Sequence, residues 1–82
     1  MKFCVACGGP GTDRHHIKTR GNGGPDDDWN CVFLCRSHHV ELHHRGQVRL
    51  YKANVRFAGA LKEKGWFLDE RKKLWNNRLN KA

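Results

Sequence analysis

Apolar residues fall in short clusters separated by polar or glycine-rich gaps, and the longest unbroken apolar stretches are five residues each, Phe3 to Cys7 and Cys31 to Cys35. Each cluster suggests an element. Cys4-Val5-Ala6-Cys7-Gly8-Gly9 reads as a tight turn carrying two thiols, with glycines after the second that permit positive φ. Arg14 to Lys18 is short and bounded by turn residues, and Gly21 to Asp28 is loop by composition. Trp29 to Cys35 is aromatic, β-branched and apolar, which predicts the second strand of a long-looped hairpin. Arg36 to Arg45 lacks Gly and Pro and runs into Gly46, the pattern of a helix with a glycine stop.

Beyond Gly46 the pattern predicts a short extended piece over Gln47 to Tyr51. A helix follows over Ala53 to Lys64, with Val55, Ala58 and Leu61 at helical spacing and Gly65 closing it. After Gly65 a further helix is predicted, because Phe67, Leu68, Leu74, Trp75 and Leu79 cluster near a 3.6-residue period with charges between them. Trp66 and Trp75 sit among leucines and read as packing residues.

Length and charge change this picture. Eighty-two residues make one domain with a core too small to be generous, so the fold needs an additional source of stability. Lys and Arg number 16 against 8 acids, a net charge of +8, with four cysteines and six histidines besides. The stretch from Lys52 onward holds nine Lys/Arg and three acids, a net of +6. Such an excess points to an anionic partner, nucleic acid or an acidic membrane surface. No apolar run approaches the roughly 18 residues of a membrane span, and the start of the chain offers no signal segment. A cytosolic protein is expected, whose thiols remain reduced and serve better as metal ligands than as disulfides.

Cys4-x-x-Cys7 and Cys35-x-x-His38 repeat the spacing that presents two donors to one tetrahedral ion, so these four residues are the expected structural zinc ligands. Pairing Cys31 with Cys35 instead fails on distance, since four residues of strand span about 13 Å. Cys31 then reads as a buried apolar thiol. A structural zinc contributes on the order of 10 kcal/mol to folding, which supplies what the small core lacks.

Five histidines remain. His39 and His43 lie four apart on the predicted helix and can grip one ion from one face, while His38 points about 100° away toward the zinc. His15 and His16 add a second pair in the hairpin. At this point the run His15-His16-Ile17, the loop with Gly23-Gly24, Asn30, and Leu34-Cys35-Arg36-Ser37-His38-His39 with His43 resemble an HNH endonuclease, also termed the His-Me or ββα-metal finger. The resemblance covers about residues 4 to 46. His39-Val-Glu-Leu-His43 before Arg45-Gly46 is similar to the end of the colicin-type DNase motif, and the zinc-stapled knuckle resembles that of phage and restriction HNH proteins.

The resemblance implies an α+β fold: a small zinc-bound, treble-clef-like ββα-metal core over residues 4–46, extended by helices over 47–82. It implies that His15, His39 and His43 hold a catalytic divalent metal, that His16 is the general base and that Asn30 pins the loop. It also implies DNA as partner, products with 5′-phosphate and 3′-hydroxyl, and a bacterial or phage-encoded chain. Many relatives have an acid at His15 and a Cys at His38. An all-imidazole set suits Mn, Ni, Co or Zn better than Mg, so the metal stays open among Mn2+, Mg2+, Ni2+, Co2+ and Zn2+. Strand alternation alone would send His15 and His16 to opposite faces, so their joint service requires local twist or a bulge.

An imidazole near pKa 6.5 is a suitable base for activating water, and a divalent ion can neutralise charge at the phosphate. Lys18, Arg20, Arg36 and Arg45 flank the expected site as phosphate contacts, and Lys72, Lys73, Arg78 and Lys81 could follow a phosphate backbone from the C-terminal helices. His44 has no place in the motif, and Asp26 to Asp28 read as a solvated turn or capping run. No base-reading motif is present, so sequence preference should be weak. A homodimer is compatible with double-strand cutting. The competing reading is a treble-clef zinc module that binds nucleic acid or protein without chemistry.

Overall fold

The computed structural model describes residues 2–80. A Cys4–Cys7 knuckle opens the chain and is closed by a bridge between Phe3 and Pro10. Strand β1 (Asp13–His16) then pairs antiparallel with β2 (Cys31–Leu34), and helix α1 (Arg36–Arg45) follows directly. Strand, long loop, strand and helix therefore occur in the order the pattern predicts. Trp29 and Asn30 lie in a single 3-10 turn, so β2 starts two residues later than its composition suggests.

Helix α1 is polar almost all round and buries only Leu42. Such a helix draws little from apolar packing. It is started by Cys35, whose Sγ accepts from the His38 backbone N–H, and stopped by Gly46 at φ 94°. The chain does not become extended there. It re-enters a helix, α2 (Gln47–Ala53), contrary to the strand suggested by Val48 and Leu50. An isolated extended piece would leave its backbone groups unpaired, whereas a helix satisfies them internally and buries Leu50.

Helix α3 (Val55–Glu63) buries Phe57, Ala58 and Leu61, with Asn54 as its cap: the side-chain oxygen accepts from the Phe57 N–H at 2.8 Å. The Asn54 amide also donates to the Ala6 carbonyl at 3.1 Å, which ties α3 to the knuckle.

The predicted helix after Gly65 is instead a hairpin of β3 (Trp66–Asp69) and β4 (Leu74–Asn77). The apparent 3.6-residue period joined two separate apolar pairs across a charged turn, Glu70 to Lys73. Asp69 closes that turn by accepting backbone N–H bonds from Arg71 and Lys72, a local bond that competes with helix. Lys72 and Lys73 are consequently exposed at a hairpin tip rather than along a helix face, and Arg78 is exposed after β4. Lys81 lies outside the described residues.

The core joins both halves: Cys4, Ala6, Ile17, Val32, Leu34, Leu42, Leu50, Phe57, Leu61 and Trp66 are buried together. Trp66 is 1% exposed, donates its indole N–H to the Trp29 carbonyl at 2.9 Å and stacks on Trp29. The class is thus α+β, with two small sheets and three α-helices around one core among the described residues. No helix among the described residues is long and apolar enough to cross a membrane.

Candidate metal centre and active site

Cys4, Cys7, Cys35 and His38 bring one donor atom each to within 4.8 Å of one another. His38 Nδ1 lies 3.3 Å from the Cys35 sulfur and 3.9 Å from that of Cys4. Tetrahedral zinc with sulfur at about 2.3 Å and nitrogen at about 2.0 Å separates its ligand atoms by about 3.5–3.8 Å, so the donor set fits that ion. Burial acts to raise the Cys4 thiol pKa, but backbone N–H groups at Cys35, Ala6 and Cys7 outweigh it and bring it down to about 7. A sulfur surrounded by donors in this way is prepared to ligate as thiolate. All four cysteines are free thiols, and Cys31 is buried on β2, where desolvation pushes its pKa up. It stands outside the zinc-binding group.

One residue along α1 the surroundings change. His15, His39 and His43 form a second group whose donor atoms also lie within 4.8 Å. The Nε2 atoms of His39 and His43 are 3.0 Å apart. Two imidazoles bound to one ion at about 2.0–2.1 Å place their nitrogens roughly 2.9–3.4 Å apart, so this pair also fits.

Neighbouring groups set the tautomers. His39 donates Nδ1–H to the Asp13 carboxylate at 2.9 Å, which leaves Nε2 as the lone pair. That hydrogen bond, helped by Arg36 and opposed by desolvation, holds the Asp13 carboxyl below its usual range. Gln47 donates to the Ile17 carbonyl at 3.2 Å, so its oxygen must face His15 Nε2, 2.6 Å away. His15 therefore carries its proton on Nε2 and keeps Nδ1 free. Burial, partly offset by the Gln47 bond and reinforced by the neighbouring imidazoles, lowers the His15 pKa to about 4. A neutral ring is the ligating form.

His16 follows a different course. It is half-buried and donates Nε2–H to Asp26 at 2.8 Å, leaving Nδ1 free. The His16 hydrogen bond, followed by the charge of Arg14, depresses the Asp26 pKa. No bulge separates the two histidines: His15 pairs with Val32 and His16 with Cys31 in unbroken register. They take different partners, Gln47 and Asp26, yet both rings line one cavity of about 180 Å³ with His39 and His43.

Asn30 is completely buried between the ends of the loop. Its oxygen accepts from the Lys18 N–H at 2.9 Å, and its amide donates to the carbonyls of Lys18 and Pro25 at 3.0 and 2.8 Å. Gly24 lets the loop close this tightly, because a Cβ there would run into the Lys18 carbonyl.

The basic residues separate. Arg20 lines the small cavity, and Lys18 lines an adjoining larger one together with Lys73. Arg36 is engaged with Asp13 at 2.9 Å, and Arg45 lines a separate groove beside Glu41 and Arg49.

Three partners escaped the sequence. Asp13 and His15 are two apart on a strand and so share a face, a signal that was present for Asp13. Asp26 and Gln47 reach the site from a loop and from a helix read as extended, and no spacing rule identifies them.

Comparisons with known proteins identify the family. A family model described as HNH endonuclease matches residues 4–45, which is half of the chain. A protein of Escherichia coli (strain K12) described as uncharacterized protein YdfU is 44% identical over 43 residues, a match covering 49% of this chain and 12% of that protein. No solved structure matches. The matched segment begins at the first zinc-site cysteine and ends with α1, so it contains both clusters, His16 and Asn30, and the chain belongs to the HNH endonuclease family.

Proposed function

We propose that this protein is a metal-dependent DNA endonuclease that hydrolyses phosphodiester bonds with His16 as general base and little sequence preference. One observation carries the reading: three converging imidazoles border the same cavity as a fourth imidazole that is held by a carboxylate and has a free nitrogen. His15, His39 and His43 would hold a divalent ion, which would supply positive charge to stabilise the phosphate and the leaving 3′ oxygen.

His16 Nδ1 takes the proton of the attacking water, and Asp26 keeps the opposite edge of the ring fixed and favours the imidazolium that results. Asn30 holds both ends of the loop against β1 and thereby positions His16; misplacing a base by about 1 Å can cost about 100-fold in rate. Asp13 and Gln47 orient His39 and His15 as ligand-bound histidines are oriented elsewhere, through the far ring nitrogen. Arg36 acts through Asp13, whereas Lys18 and Arg20 are placed to meet phosphates. Cys4, Cys7, Cys35 and His38 hold a structural zinc and take no part in the chemistry.

The test is conversion of supercoiled plasmid to nicked and linear forms with Mn, Mg, Ni or EDTA, beside His16→Ala. The expected result is metal-dependent cutting that falls about 10²–10⁴-fold in His16→Ala while its zinc content stays unchanged. A folded, zinc-loaded protein that shifts DNA but cuts with no metal would be a binding module.

A further inference from the structure

The larger cavity beside the imidazoles, about 590 Å³, has two walls of different origin. His15, His16 and His43 form one and lie inside the matched segment; Lys73, Leu74 and Trp75 of the C-terminal hairpin form the other and lie outside it. The second wall is held by its own turn and by α2. Trp75 is half-buried with its ring packed edge-on against Tyr51 at 5.0 Å. The turn before it is closed by Asp69 and tied back to α2 by the Lys52–Glu70 ion pair at 2.9 Å. Lys73 sits in the left-handed region at φ 57°, a conformation that costs free energy for a residue with a side chain. Leu74 is 55% exposed although apolar.

We propose that this cavity seats one unstacked nucleotide of the DNA strand, adjacent to the phosphodiester presented to His16. The inference rests on the nuclease reading and deepens it by naming the feature of the substrate that is recognised. The volume lies within the roughly 300–1,000 Å³ of sites that enclose a single small organic ligand. Trp75 and Leu74 offer an apolar surface on which any base can stack, which is sequence-tolerant recognition. Lys73 and Lys18 flank that surface with the charge that a nucleotide's phosphates require. His15, His16 and His43 line the same cavity, so a nucleotide held there lies beside the imidazoles.

The experiment compares, at fixed salt and without added divalent metal, binding of the intact protein to a labelled duplex and to the same duplex carrying one bulged nucleotide. Wild-type protein is expected to bind the bulged duplex about tenfold more tightly, within the range of base–aromatic stacking. Leu74→Ser should reduce that preference several-fold and leave affinity for the paired duplex within about twofold, whereas Trp75→Phe should keep most of it. Leu74 is exposed, so its variant reports on the cavity without depending on the core. Equal binding of the two duplexes by wild type, or a preference undiminished in Leu74→Ser, overturns the proposal. Plasmid cutting separates the two readings: cutting without the preference refutes the nucleotide seat alone, and the preference without cutting refutes the nuclease alone.

Discussion

The two clusters on α1 start from adjacent residues, His38 and His39, and differ in everything that surrounds them. The cysteine cluster draws on the knuckle, the end of β2 and the first turn of α1, and brings four protein donors within 4.8 Å of one another. The imidazole cluster has three donors, of which His15 is held by Gln47 and His39 by Asp13, and borders open cavities. Four protein donors would leave a tetrahedral ion no vacancy, whereas three donors beside a cavity would leave coordination positions for water and phosphate. On the proposed reading, one helix divides support from chemistry by a rotation of about 100°.

The largest expected effect comes from breaking the closed cluster. Cys4→Ser should cost most of the folding free energy, since structural zinc contributes on the order of 10 kcal/mol in small domains. Circular dichroism should show a largely unfolded chain with less than one zinc bound, and chelation of the wild type should reproduce it.

Next comes the support of the open cluster. Asp13→Asn keeps the size of the side chain and removes the charge that fixes the His39 tautomer, so affinity for the exchangeable metal should fall about 10–100-fold. Calorimetric titration with Mn should detect this, and the zinc-loaded fold should melt within a few degrees of wild type. Unchanged Mn affinity would mean that Asp13 merely anchors Arg36.

The smallest effect sharpens the boundary between metal and base. Asp26→Asn should lower kcat about tenfold through the orientation of His16 and leave Mn affinity unaltered. A loss of metal binding there would place Asp26 in the metal's own support instead.

Legibility followed the range of the interaction. The knuckle, the loop, β2 and α1 are readable because glycine stops, composition and donor spacing are local rules, whereas the capping of α1 by Cys35 emerges only in the structure. Cys31 was excluded from the zinc by a distance along a strand, which needs no tertiary information. The C-terminal stretch failed for the converse reason. Phe67, Leu68, Leu74 and Trp75 carry no intrinsic period, and what made them a hairpin was the Asp69 turn together with a buried seat for Trp66 against Trp29. Gln47 illustrates the same limit, because its bond to His15 spans 32 residues and depends on Gly46 redirecting the chain.

Helix α1 buries Leu42 and little else, so its position depends on the donors at its ends and along one face. A zinc held at the start of the helix would steady His39 and His43 opposite His15, in addition to the bonds from Asp13 and Gln47. If the proposed cleavage is correct, filling the cysteine cluster and completing the imidazole cluster would be linked events, and a metal-starved copy would leave DNA intact.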